Sequence, residues 1–145
     1  MSSFVFNVVK GRMASYLDLV PSNSALVVVP IEFSGLEVQS VLEDKTTLTA
    51  VLSGSTNEQT TLGRKTLTSV TTATDNTHNR YTGSLAAQTW TAATGNQLGG
   101  VLICYDADTT SGSDSDIIPL TFHEWNVTPS GDDITIYLSN FYVAS

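Results

Sequence analysis

Four neighbouring aspartates, Asp106, Asp108, Asp114 and Asp116, are the residues of this chain best placed to do chemistry. Carboxylates at alternate positions can converge on a calcium ion, which takes about six to eight oxygen ligands. Asp106-x-Asp108-x-Thr110 opens as a calcium loop would, but Gly112 falls one place late and the twelfth position is Ile117 where glutamate is needed. The spacing suits a solvated hairpin loop whose Asp, Ser and Gly residues supply turn hydrogen bonds. These aspartates are the metal candidates of the chain, and no cofactor is expected.

The other reactive side chains are few. His78 lies in a polar, threonine-rich stretch and reads as solvated, and His123 falls between Phe122 and Glu124 at a strand end. Glu124 beside it would point to the opposite face of that strand. No G-x-S-x-G, H-E-x-x-H, C-x-x-C, Walker loop or G-x-G-x-x-G occurs. Acyl transfer, zinc chemistry and phosphate binding therefore have no motif to rest on, and the chain is not expected to be an enzyme. The single cysteine, Cys104, excludes an intrachain disulfide. It sits in the apolar run 101–105 with Asp106 and Asp108 nearby, which would raise its pKa, so it reads as a small buried hydrophobe. Trp90 and Trp125 read as core or interface anchors. Exposed, they and Tyr81 would instead be platforms for a sugar ring.

Composition narrows the class. The 145 residues suit one domain, 1–145, able to bury a core without staples. Charged residues make up 14%, against about 25% in an ordinary globular protein. A polar, weakly charged surface suits packing against neighbours. The net charge is −8, with six basic residues and no basic stripe, so nucleic acid is not an expected partner. No apolar stretch approaches the roughly 18 residues of a membrane span, so no membrane association is expected. The N-terminus lacks the pattern of a secretion signal, which implies synthesis in a cytoplasm.

These residues must be positioned by strands. Ala25 to Ile31 is a continuous apolar, β-branched run, which predicts a strand buried on both faces. Residues 101–105 and 117–122, separated by the acidic loop, predict a hairpin whose second strand extends through 123–127. Strands are also expected at 81–85, 88–92 and 134–138, with turns at Gly95-Asn96, Gly99-Gly100 and 129–133. The stretch 71–79 has almost no apolar content and reads as a mobile loop. Apolar spacings of three and four from Val8 to Val20 predict a short helix. One or two more are expected between Gly35 and Gly54, with Thr46 or Thr47 as a cap. The fold class is mainly β: an antiparallel β-sandwich or barrel with one to three short helices in the N-terminal third.

Several stretches together resemble small virion structural proteins of tailed actinobacterial phages. They are residues 6–12 (FNVVKGR), 23–29 (NSALVVV), 56–65 (TNEQTTLGRK), 90–96 (WTAATGN), 104–109 (CYDADT) and 117–121 (IIPLT) with His123. They run through most of the chain in the same order, and none is a catalytic motif. The resemblance implies a place in the virion and a capsid decoration (cement) or minor capsid role. The partners would be the major capsid protein or other virion proteins, with the chain a homo-oligomer. A tail or fibre module that binds a host glycan is the alternative. The apolar segments Phe4, Val5, Phe6 and Phe141, Tyr142, Val143 are the candidate partner contacts.

Overall fold

The apolar run at 25–31 becomes the strand around which the architecture is built. In the computed structural model, which describes residues 2–145, it extends over Ala25–Glu32 and is buried from Ala25 to Ile31. Side chains on a strand alternate between faces, so burial throughout requires cover on both sides. The strands in chain order are β1 Phe4–Val5, β2 Ala25–Glu32, β3 Lys65–Leu67, β4 Thr71–Asp75, β5 Arg80–Ser84, β6 Gln88–Trp90, β7 Leu98–Asp106, β8 Ile117–Val127, β9 Ile134–Ile136 and β10 Tyr142–Ala144. Three short helices are α1 Met13–Leu17, α2 Gln39–Leu42 and α3 Leu48–Leu52. The chain is mainly β, as expected, with its helices early in the sequence.

Three antiparallel sheets result. The largest has the order β1-β8-β7-β2-β3, the second β10-β5-β4, and the third pairs β6 with β9. The large sheet ends in the free edges of β1 and β3, so it does not close into a barrel, and the molecule is sandwich-like.

Register decides which residues face which layer. Leu26 lies beside Tyr105, Val28 beside Ile103 and Pro30 beside Val101, which in turn pairs with His123. Helix α1 covers this face through Tyr16, whose ring lies 4.8 Å from that of Tyr105. The small sheets complete the layer, with Phe141 edge-on to His123 at 6.3 Å and Trp90 against Trp125 at 5.9 Å. The opposite face carries Val27, Val29, Leu102, Cys104 and Phe122, all buried. Phe4 stacks on Phe122 at 5.4 Å, and α3 packs beside β8. Leu42, Leu48 and Val51 of α2 and α3 are fully buried and supply the rest of that layer. Thr47 caps α3, its hydroxyl accepting the Ala50 N–H at 3.1 Å.

Three local expectations need correction. The apolar spacing from Val8 to Val20 yields only the five residues of α1 after a 3-10 turn at Asn7–Val9. Gly11, at φ 87°, separates the two pieces, and Val20 is exposed. The expected loop at 71–79 contains β4, which pairs with β5 from Thr71 opposite Ser84 to Asp75 opposite Arg80. Threonine favours extended backbone, and a strand outside the core shows no apolar alternation to reveal it. Gly99 and Gly100 form no turn; both lie inside β7. A Cβ on Gly100 would run into the His123 carbonyl and the Phe122 ring, so this glycine permits close approach between strands.

Gly100→Ala is therefore expected to destabilise the fold by about 1–3 kcal/mol through overpacking. Urea denaturation checks this; an unchanged midpoint would show that the β7–β8 contact has room to spare.

Candidate functional site

Arg64 organises the acidic end of the molecule. It enters β3 from the loop that follows α3. Its Nε and Nη2 donate to Glu58 at 2.7 Å each, while Nη1 and Nη2 donate to Asp114 at 2.8 and 3.0 Å. The planar guanidinium thus holds two carboxylates in bidentate pairs, the strongest geometry available to it. Hydrogen bonds to Glu58 and Asp114 raise the Arg64 pKa further, and Arg64 holds Asp114 below the usual carboxylate range.

The other candidate aspartates serve their own loop. Asp106 accepts the Asp108 N–H at 3.1 Å. Asp108 accepts the N–H and hydroxyl of Thr110 and the hydroxyl of Ser111, and these bonds lower its pKa. Asp116 accepts the Ser113 N–H at 3.1 Å and closes a capping box on the 3-10 turn Asp114–Asp116. Asp106, Asp108 and Asp116 fix turns and Asp114 holds Arg64, so the four do not converge. Among the described residues, no three His, Cys, Asp or Glu side chains gather as ligands for one ion.

The remaining reactive groups are similarly engaged. His78 is exposed and bonds through Nδ1 to Asp75 at 2.7 Å. His123 meets the buried Thr121 hydroxyl through Nε2 at 2.9 Å, and burial lowers its pKa to about 4. Cys104 is fully buried, and burial pushes its thiol up. The charges that act on it belong to Arg64, Asp114 and Glu58, not to Asp106 and Asp108 as its sequence neighbours suggest. Among the described residues no helix is long and apolar enough to cross a membrane.

The aromatic residues divide. Trp90 is buried, donates through Nε1 to the Gly63 carbonyl at 3.0 Å and carries the Lys65 ammonium 5.5 Å from its ring centroid. It is a core anchor and no sugar platform. Trp125 is half-buried against it. Tyr81 is also half-buried, and its hydroxyl is enclosed with no hydrogen-bond partner among the described residues. Tyr137, by contrast, is 81% exposed. With Trp125, His123 and Asn140 it lines an open cleft of about 500 Å³. The alternation of Ile134, Ile136 and Leu138 was the signal that Tyr137 points outward.

The terminal contact candidates are corrected in part. Phe6 and Phe141 are buried core residues, unavailable to a partner. Phe4 and Val5 pair with β8, while Tyr142 and Val143 pair with β5. Both termini are therefore docked on their own chain, and only Val143 of the six is exposed. The other exposed large apolar side chains are Val20, Phe33 at 55%, Val38 at 62%, Val41 of α2 and Tyr137. No family model, curated protein or solved structure matches the chain.

Two measurements follow from this geometry. Between pH 6.5 and about 4, unfolded chains bind a proton on His123 that the folded chain refuses. Stability is therefore expected to fall by on the order of 3 kcal/mol as pH drops through that window. The Asp114 contribution is lost only below its ordinary value of 3.8. His123→Gln should flatten the upper window and leave the lower loss, as read by urea midpoints against pH; an unchanged profile would show that His123 is not the group responsible. Arg64→Ala leaves Glu58 and Asp114 without their partner and is expected to cost about 1–3 kcal/mol. Thermal melts at pH 7 check it, and a neutral result would reduce the cluster to a solvated surface pair.

Proposed function

We propose that the chain is a structural protein of a phage virion. It binds the major capsid protein or other virion proteins as a capsid decoration or minor capsid subunit. One observation carries this reading. The side chains able to do chemistry are committed to turns, pairs or the core, while backbone edges and apolar side chains stand open. β1, β3, β4 and β10 end their sheets, and Phe33, Val38 and Val41 face solvent. A contact protein needs such features and no reactive centre. The small share of charged residues lowers the desolvation cost of covering its faces. The net charge of −8 disfavours adhesion to DNA. The resemblance through six stretches of the chain supports a virion setting.

The cleft beside Tyr137 supports the second reading, a tail or fibre module that binds a host glycan. An exposed ring next to Trp125, with Glu124 and Asn140 nearby, offers stacking and hydrogen bonds to a sugar.

Sedimentation separates the two. Purified protein is mixed with capsids that lack it and run through a sucrose gradient. Saturable co-migration, lost in Phe33→Asp or Val38→Asp, is the expected result. Protein that stays at the top of the gradient and binds a glycan array, with binding lost in Tyr137→Ala, would move the assignment to the second reading.

A further inference from the structure

We propose that β4 pairs antiparallel with β4 of a second copy of this chain, across a two-fold axis at Ala73. This rests on the reading of the chain as a contact protein and names the partner of one surface.

The starting point is exposure. Thr71, Thr72, Ala73 and Thr74 are all exposed, and β4 pairs on one side only, with β5. Among the described residues, no further backbone or side-chain hydrogen bond engages Thr71 to Thr74. The open edge presents a row of N–H and C=O groups, a template for another strand. Such edges are ordinarily blunted by lysine, proline or a bulge. This one has none: its five residues are Thr-Thr-Ala-Thr-Asp, and its register with β5 is regular.

Residue order selects the second copy. An isologous contact must be self-complementary, so that each residue meets its symmetry counterpart. Thr72-Ala73-Thr74 reads the same in both directions. Centred on Ala73, antiparallel pairing sets Ala73 opposite Ala73 of the second copy and Thr72 opposite its Thr74. Small residues then meet at the axis, and threonine pairs flank it, a favourable cross-strand combination. Asp75 falls opposite Thr71 of the second copy, so the two Asp75 carboxylates stay apart.

Charge agrees. The chain carries −8, so most of its surface repels another copy. The hairpin is the exception, because Asp75 is paired with Arg80 at 3.2 Å. Asp75 also accepts the Thr77 and His78 N–H groups, which holds the turn and keeps β4 extended ahead of any encounter.

The test uses the full chain in two variants. Ala73→Lys sets two ammonium groups face to face at the axis, at an exposed position where folding should be unaffected. Light scattering is expected to show a concentration-dependent dimer for the parent chain and at least a tenfold weaker one for Ala73→Lys, with equal melting temperatures in dilute solution. Ala73→Cys should form an intermolecular disulfide on mild oxidation, since opposed strand residues lie about 4.5–5.5 Å apart between Cα atoms. Thr71→Cys should not, because its counterpart would lie ~13 Å along the strand. Cys104 is buried and does not compete. A chain still monomeric at about 1 mM, a dimer indifferent to Ala73→Lys, or equal cross-linking at positions 71 and 73 would overturn the pairing. A monomer that binds capsids and loses that binding in Ala73→Lys would give the edge to a different virion strand. It would refute the second-copy assignment and leave the contact role standing.

Discussion

Two adjacent strands buried on both faces constrain everything else in this molecule. β2 and β7 pair along nearly their whole length, and every residue of both but the last, Glu32 and Asp106, is buried. Each face must be roofed, and the chain has only short elements with which to do it. One roof is α1 with the two small sheets; the other is the N-terminal segment with α2 and α3. None of these pieces is long enough to be stable alone, since short helices and two-stranded hairpins are marginal in water. They are ordered because β2 and β7 supply the apolar surface they need.

That arrangement explains why the polar side chains do structural work. Short elements leave many loop ends, and their backbone groups need partners. Gln59 is buried and donates to the Asn96 carbonyl at 2.8 Å while accepting the Thr61 N–H at 2.9 Å. Thr56, also buried, accepts the Glu37 N–H and donates to the Glu37 carboxylate. Arg64 ties the loop after α3 to the 3-10 turn before β8. These bonds join loops far apart in sequence.

Much of the centre was legible in the residues. The run 25–31 had to be a strand covered on both sides, and the two walls around the acidic loop had to be a hairpin. A threonine cap for α3 at position 46 or 47, a buried Cys104 and a packing role for Trp90 in core or interface also followed from local chemistry, and the structure selects Thr47 and the core. The misses share a cause. β4 is exposed from Thr71 to Thr74, so no alternation marked it, and only its threonine content hinted at extended backbone. Gly99 and Gly100 looked like punctuation because their function, room for Phe122 and for the Phe33–Leu36 segment, depends on neighbours distant in sequence. The terminal aromatics looked available because composition does not reveal which sheet a short strand will join. The Arg64–Asp114 pair spans 50 positions, beyond the reach of motif spacing. Asp106, Asp108 and Asp116 make the turn hydrogen bonds that their loop composition suggested, whereas the anchor of Asp114 to Arg64 was not visible.

The chain divides into a buried centre, β2 and β7, and an exposed edge, β4, and backbone amide hydrogen exchange measures that division directly. In dilute protein, amides of β2 and β7 should exchange slowest and outward amides of β4 should exchange at near-unprotected rates. On assembly, protection should appear at residues 71–75. Strong protection of the outward β4 amides in the dilute monomer, or no gain there on assembly, would contradict the account.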